Sequence, residues 1–167
     1  MKKILIGLMM VALVSGLSIA GTEDSLTLTV TVGGTAYGIA ITSTTQDFGT
    51  VNLAGSKSLY VGDVKNDGST SEGIQKKMAV PGGWSIVSVT NPAANEVSLY
   101  GNITNQLAAE PTWAGGDFTT ASYTGTSANS VTAGTTKGLW VKLYMPTTSA
   151  LVGQQTITLS LQGVAPY

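Results

Sequence analysis

The sequence predicts an all-β antiparallel domain, a two-sheet sandwich or a closed barrel, carried behind a cleaved signal peptide helix. Three observations predict it. The chain opens on Lys2 and Lys3 followed by a short apolar run. The remainder breaks into short β-branched runs bounded by turn residues, at the spacing of a sandwich or barrel. No segment after the leader sustains an apolar period of 3.6 residues.

Residues 4–17 are apolar apart from Gly7, Ser15 and Gly16. That is the length of a signal-peptide core; a spanning helix needs about 20 residues, which disfavours an uncleaved anchor. Ser18 and Ala20 place small residues three before and one before a scissile bond at Gly21. The expected organisation is a signal peptide over 1–20 and a single β-sandwich domain over 21–167. There is no cysteine to carry a lipid and no apolar C-terminal tail, so no membrane attachment is expected after cleavage.

The first mature segment, 25–32, alternates Leu26, Leu28, Val30 and Val32 with Thr27, Thr29 and Thr31, the pattern of a half-buried strand. Gly33 and Gly34 interrupt it before Tyr37, Ile39 and Ile41 resume the period. A kink or corner is the preferred reading over a hairpin. Segments 46–53, with Phe48, Val51 and Leu53 around Gly49, and 59–64, ending at Asn66, Asp67 and Gly68, read as strands closed by turns. Segment 74–80 carries Lys76 and Lys77, which suit an edge or solvent face. Pro81, Gly82 and Gly83 turn the chain into 84–89, with Trp84, Ile86 and Val89 inward, and Asn91 and Pro92 end that run. Segment 97–103 is a further strand, 105–116 is ambiguous with a helical turn at 106–110, 118–123 is weakly strand-like, and 124–136 reads as a loop. The clearest signals come last: Leu139, Val141, Leu143 and Met145 alternate with Trp140, Lys142 and Tyr144, and Ile157, Leu159 and Leu161 alternate with Thr158, Ser160 and Gln162.

Composition excludes most chemistry. The chain has no His, no Cys and no Arg, so the commonest general base, the thiolate nucleophile and the bidentate phosphate clamp are missing. A Ser-His-Asp or Cys-His site cannot be built. Loss of Lys2 and Lys3 with the leader takes the formal net charge from −1 to −3, which attracts neither nucleic acid nor anionic lipid. Most acids sit beside turn residues, where charge is solvated. Asp47 and Asp117 each precede a Phe, and a two-carboxylate site would need such a pair to meet in a cleft.

Three constellations remain. Asp63, Asn66, Asp67, Ser69 and Glu72 cluster like a calcium loop, but Lys65 stands at the third position of the EF-hand spacing, so a solvated turn is expected; no cofactor is expected and calcium is the metal considered. Trp140 and Tyr144 share the strand face opposite the aliphatic one, the spacing of a sugar-stacking platform, whereas aromatic residues in sandwiches more often pack core or rim. Leu26, Leu28, Val30 and Val32 form regular apolar teeth just past the cleavage point. They suit insertion into a neighbouring subunit's sheet, or pairing as the first strand of their own domain. Asn102, Ile103 and Thr104 form a glycosylation sequon.

Four further pieces belong together: Asp47, Phe48, Gly49, Thr50 and Val51; the run from Val64 to the turn at Gly68; residues 139–146, Leu139 to the Pro146 that ends them; and residues 153–161, opening on Gly153. This set resembles secreted bacterial immunoglobulin-like β-sandwich proteins. The resemblance implies an immunoglobulin-like antiparallel β-sandwich and export, and transfers no catalytic residue. The expected function is a non-enzymatic structural or adhesive protein, secreted, periplasmic or on the cell surface, self-associating by strand edges with itself or other envelope proteins. The alternative is a carbohydrate-binding module that takes glycans.

Overall fold

The alternation read in the sequence produces ten strands among the residues that a computed structural model describes, which are 23–33, 37–105, 109–114, 117–125 and 130–166. The leader 1–20 lies outside them. The strands are β1 (Glu23–Gly33), β2 (Ile39–Ile41), β3 (Thr45–Asn52), β4 (Ser56–Asn66), β5 (Gly73–Ala79), β6 (Ser85–Ile86), β7 (Glu96–Thr104), β8 (Phe118–Thr119), β9 (Thr136–Tyr144) and β10 (Gln155–Val164). They form one sheet in the order β3-β1-β10-β5 and a second in the order β2-β4-β9-β7-β6, with β8 added to β7. The protein is nearly all β, two sheets in a sandwich-like arrangement.

The core is made by the inward half of each alternating strand. Leu26, Leu28 and Val30 of β1, Leu139, Val141 and Leu143 of β9, and Ile157, Leu159 and Leu161 of β10 join one cluster, each at most 1% exposed. Full burial stabilises each such side chain by roughly 1.5–3 kcal/mol relative to exposure. Two bulges keep the period in phase with the core. On β3, Leu26 pairs with Gly49 and Thr27 with Asp47, so Phe48 is the extra residue and its ring is fully buried. On β4, Tyr60 pairs with Trp140 and Gly62 with Leu139, so the shift at Val61 lets Val61 and Val64 both bury despite their odd spacing. Gly62 has φ 145° and lies against Thr42, where a Cβ would stand 2.8 Å from Oγ1; only glycine fits there.

β1 and β2 belong to different sheets, so the two segments are not a hairpin; the connection itself, 34–36, lies outside the described residues. β1 itself lies inside its sheet. It runs parallel to β10 from Leu26 opposite Gln155 to Gly33 opposite Gln162, and antiparallel to β3 from Glu23 opposite Asn52 to Thr29 opposite Thr45.

Several expectations are corrected. The sheets are not wholly antiparallel, because β1 runs parallel to β10 and β6 parallel to β7. Lys76 is not on a solvent face: it is 1% exposed, because it sits on the inward phase of β5 with Ile74 and Met78. Lys77, on the outward phase, places its ammonium 4.5 Å from the Tyr123 ring centre. Val89 is 45% exposed, since β6 covers only Ser85–Ile86. The supposed loop 124–136 also contributes pairing: Thr124 bridges Lys76 and Val131 bridges Glu72, each antiparallel. The helical turn expected at 106–110 falls largely on residues 106–108, outside the described residues.

Candidate functional site

The described sheet margins differ in what they offer. Beyond β5, backbone bonds run from Lys76 N to Thr124 O at 2.7 Å, from Met78 N to Thr120 O at 2.8 Å and from Glu72 N to Val131 O at 3.0 Å, so that margin is covered. The second sheet ends in the three-residue β2 and the two-residue β6. β3 is longer, but its bulge, the left-handed Gly49 (φ 61°) and the Lys57 ammonium, donating to Phe48 O at 2.5 Å, blunt it as edge strands are usually blunted. The first described strand, β1, instead lies in an interior slot, paired on one side with β10 and on the other with β3. Without β1, the edges of β3 and β10 would face each other about 9.5 Å apart, two interstrand spacings. The sequence-selected teeth Leu26, Leu28 and Val30 fill this slot, none more than 1% exposed; Val32 continues the ladder opposite Leu161, and its side chain lies outside the described part.

The outer face of β4-β9-β7 is the second candidate. Pairing of Tyr60 with Trp140 and of Trp140 with Asn102 sets one row; pairing of Ser58 with Lys142 and of Lys142 with Tyr100 sets the next. Trp140 and Tyr144 do lie on this outward face, both half-buried. They are absorbed into separate contacts: Trp140 packs on Tyr60 with ring centres 5.3 Å apart, and Tyr144 packs on Tyr100 at 5.6 Å. Tyr100 stacks in turn on Phe118 at 3.9 Å and meets Trp113 at 5.6 Å.

Residues 109–114 fold over that face. The Glu110 carboxylate accepts from Ser58 Oγ at 2.5 Å and from Trp113 Nε1 at 2.8 Å, and lies 3.9 Å from Lys142 Nζ. These two hydrogen bonds, with Lys142, hold its carboxyl below the ordinary range. Burial, then the bonded Asp63 carboxylate, pushes the Tyr60 hydroxyl up to about 12. Burial, with Tyr144 and Asp117 nearby, raises Tyr100. Trp140 Nε1 is buried without a hydrogen-bond partner, so the face is packed rather than open around its largest ring.

Among the described residues, the acids weighed for a two-carboxylate or a calcium site are engaged separately. Asp47 caps Gly49 N at 2.6 Å on β3, whereas Asp117 accepts from Asn102 Nδ2 at 2.9 Å and Ala114 N at 3.1 Å beside β7; the two serve different sheets. In the loop, Asp63 is engaged by the Tyr60 hydroxyl, and Asp67 pairs with Lys65 at 2.5 Å. Asn66 is buried, donating to Thr70 O at 2.9 Å and Val131 O at 2.8 Å while its Oδ1 accepts from Gly68 N at 2.8 Å. Among the described residues no three His, Cys, Asp or Glu side chains gather where a metal ion could be held.

What sequence reasoning missed is the buried charge. Glu72 is 0% exposed and Lys76 1%, and neither Glu72 oxygen has a hydrogen-bond partner. The signal available was phase: Glu72, Ile74, Lys76 and Met78 share one parity with the core. Compared with known proteins, the chain matches no family model and no curated sequence.

Proposed function

We propose that the chain is an exported, non-enzymatic structural or adhesive subunit of the cell envelope, built on an immunoglobulin-like sandwich, that joins copies of itself by exchanging its first strand. The observation that carries this reading is the position of β1. It is the first strand of the mature chain, yet it occupies an interior slot between β3 and β10. A terminal strand can leave without breaking the connectivity of the rest, and the vacated slot then presents two strand edges and an apolar floor, the requirements of β-augmentation. The blunted or covered margins elsewhere favour this slot over edge-to-edge pairing. Reciprocal exchange gives a closed dimer and one-way exchange a filament. The two-sheet sandwich supports the immunoglobulin-like reading, and the leader supports export.

The β1–β10 register supplies the test, because the chain has no cysteine of its own. Thr29 lies opposite Thr158, at a neighbouring-strand spacing within disulfide range. Mature Thr29→Cys and Thr158→Cys variants, unfolded together, refolded and oxidised, are expected to give a covalent heterodimer joined through those two positions, identified by peptide mass mapping. A mixture that stays monomeric, while the double variant forms its internal disulfide in full, sinks the proposal.

Glycan binding is the second reading; it rests on the row of Tyr60, Trp140 and Asn102, each still half-buried on the outward face. Its test is a glycan array with wild type and Trp140→Ala. Binding lost in the variant supports it, and a blank array removes it.

A further inference from the structure

Glu72 stands immediately before β5, its backbone held by both bonds to Val131, N to O at 3.0 Å and O from N at 2.7 Å. Its side chain is 0% exposed and both carboxyl oxygens lack hydrogen-bond partners. A charged carboxylate in that condition has neither water nor a donor, so the site favours the neutral acid. Burial accordingly raises its pKa above the ordinary value.

Two glycines make the room. At Gly163 an added Cβ would collide with Glu72 Oε2 and with Tyr37 Cβ, and at Gly68 it would stand 3.1 Å from both Glu72 Oε1 and Asn66 Oδ1. These neighbours locate the carboxyl in the fold. Gly163 directly follows Gln162, the residue of β10 that pairs with Gly33 at the end of β1. Tyr37 and Gly38 lead into β2, and Gly38 O accepts from Asp67 N at 2.5 Å, tying that link to the Asn66–Gly68 turn. Gly163, Val131 and Asn66 are buried, whereas Tyr37 and Gly68 are half-buried.

We propose that Glu72 is a proton-operated latch beside the end of β1: protonated, it lets Tyr37 and Gly38 stay packed against the 66–68 turn, and ionised, it draws in water and loosens the end of β1. The latch rests on the strand-exchange reading, since it controls release of the same strand. Few other charges bear on it. Tyr37 is the titratable group on the link; Asp67 on the turn is paired with Lys65; Lys76 lies four residues along β5; and Gly163 and Val131 bring none. Because the folded acid holds its proton more tightly than the unfolded one, closure is favoured at acid pH and weakens as pH rises through the folded-state pKa.

Backbone hydrogen exchange on the monomeric mature protein, corrected for intrinsic rates, tests this at pH 5 and pH 8, with β9 amides as the global reference. The β1 amides near Gly33 are expected to lose at least tenfold more protection than β9 between the two pH values in wild type, and to lose none in Glu72→Gln. A Tyr37→Ala variant, which strips the ring from the link while leaving the carboxyl in place, is expected to show low β1 protection at both pH values, and it carries the test if Glu72→Gln does not fold. Equal pH responses of β1 in wild type and Glu72→Gln, or full β1 protection in Tyr37→Ala, overturn the latch. A pH-dependent β1 with no heterodimer in the cysteine experiment supports the latch and overturns strand exchange alone.

Discussion

Lys76 shows how a single side chain can be placed against its own chemistry. Its inward phase on β5 drives its stem across the sandwich beneath Gly101, where an added Cβ would lie 3.0 Å from Lys76 Cδ. Burial lowers its pKa from 10.5 to about 8, with Asp117 pulling the other way. The sign follows: below about pH 8 the folded protein carries the buried charge at full penalty, and stability rises between about 8 and 10.5 as the folded state sheds its proton before the unfolded one. A shift of this size corresponds to on the order of 3 kcal/mol. Lys76→Met is therefore expected to be more stable than wild type at pH 7, by about 1–3 kcal/mol once the loss of Asp117's partner is counted, and to lose the alkaline rise. Urea denaturation at pH 7 and pH 10 measures both. A sequence reader sees two adjacent lysines and assigns both to solvent; adjacent strand residues face opposite ways, so one of them had to point inward.

At the scale of elements, the outer face of β4-β9-β7 works as a second, smaller packing layer. Tyr100 is its centre, 5% exposed and in contact with Phe118, Trp113 and Tyr144. Tyr100→Ala is expected to cost about 3–5 kcal/mol in denaturant titration, the range for deleting a large buried ring. A much smaller loss would mean that the layer is loosely held and open to ligands. The alternation of β9 made Trp140 and Tyr144 legible as one face, since the period of two is local. Their neighbours were not legible, because Tyr60, Tyr100 and Trp113 come from segments brought alongside only by strand order. The bulges at Phe48 and Val61 were equally hidden: each breaks the period in sequence and restores it in space. β6 was read too long: the ladder stops at Ile86, and one further backbone bond, Val87 N to Val97 O at 3.0 Å, follows it.

For the whole molecule, folding stability and the proposed strand exchange both depend on β1. Leu28 is fully buried in the slot, so Leu28→Ala is expected to lose about 2–5 kcal/mol of folding stability and, in the cysteine pairing experiment, to lower the heterodimer yield, because the exchanged strand buries the same tooth. Unchanged yield with lowered stability would place the exchange elsewhere. By itself, the sequence determined the all-β class, nearly every strand and the inward set of β1, β9 and β10, because strand periodicity and turn chemistry are properties of neighbouring residues. It also determined the poverty in reactive groups, which is a matter of composition. The tertiary structure decided that β1 lies between β3 and β10, that a supposed loop covers the margin of β5, and that Glu72 and Lys76 are interior. Those depend on which distant segments pair, and a repeating alternation of similar strands is compatible with many partners until the two sheets close on one core.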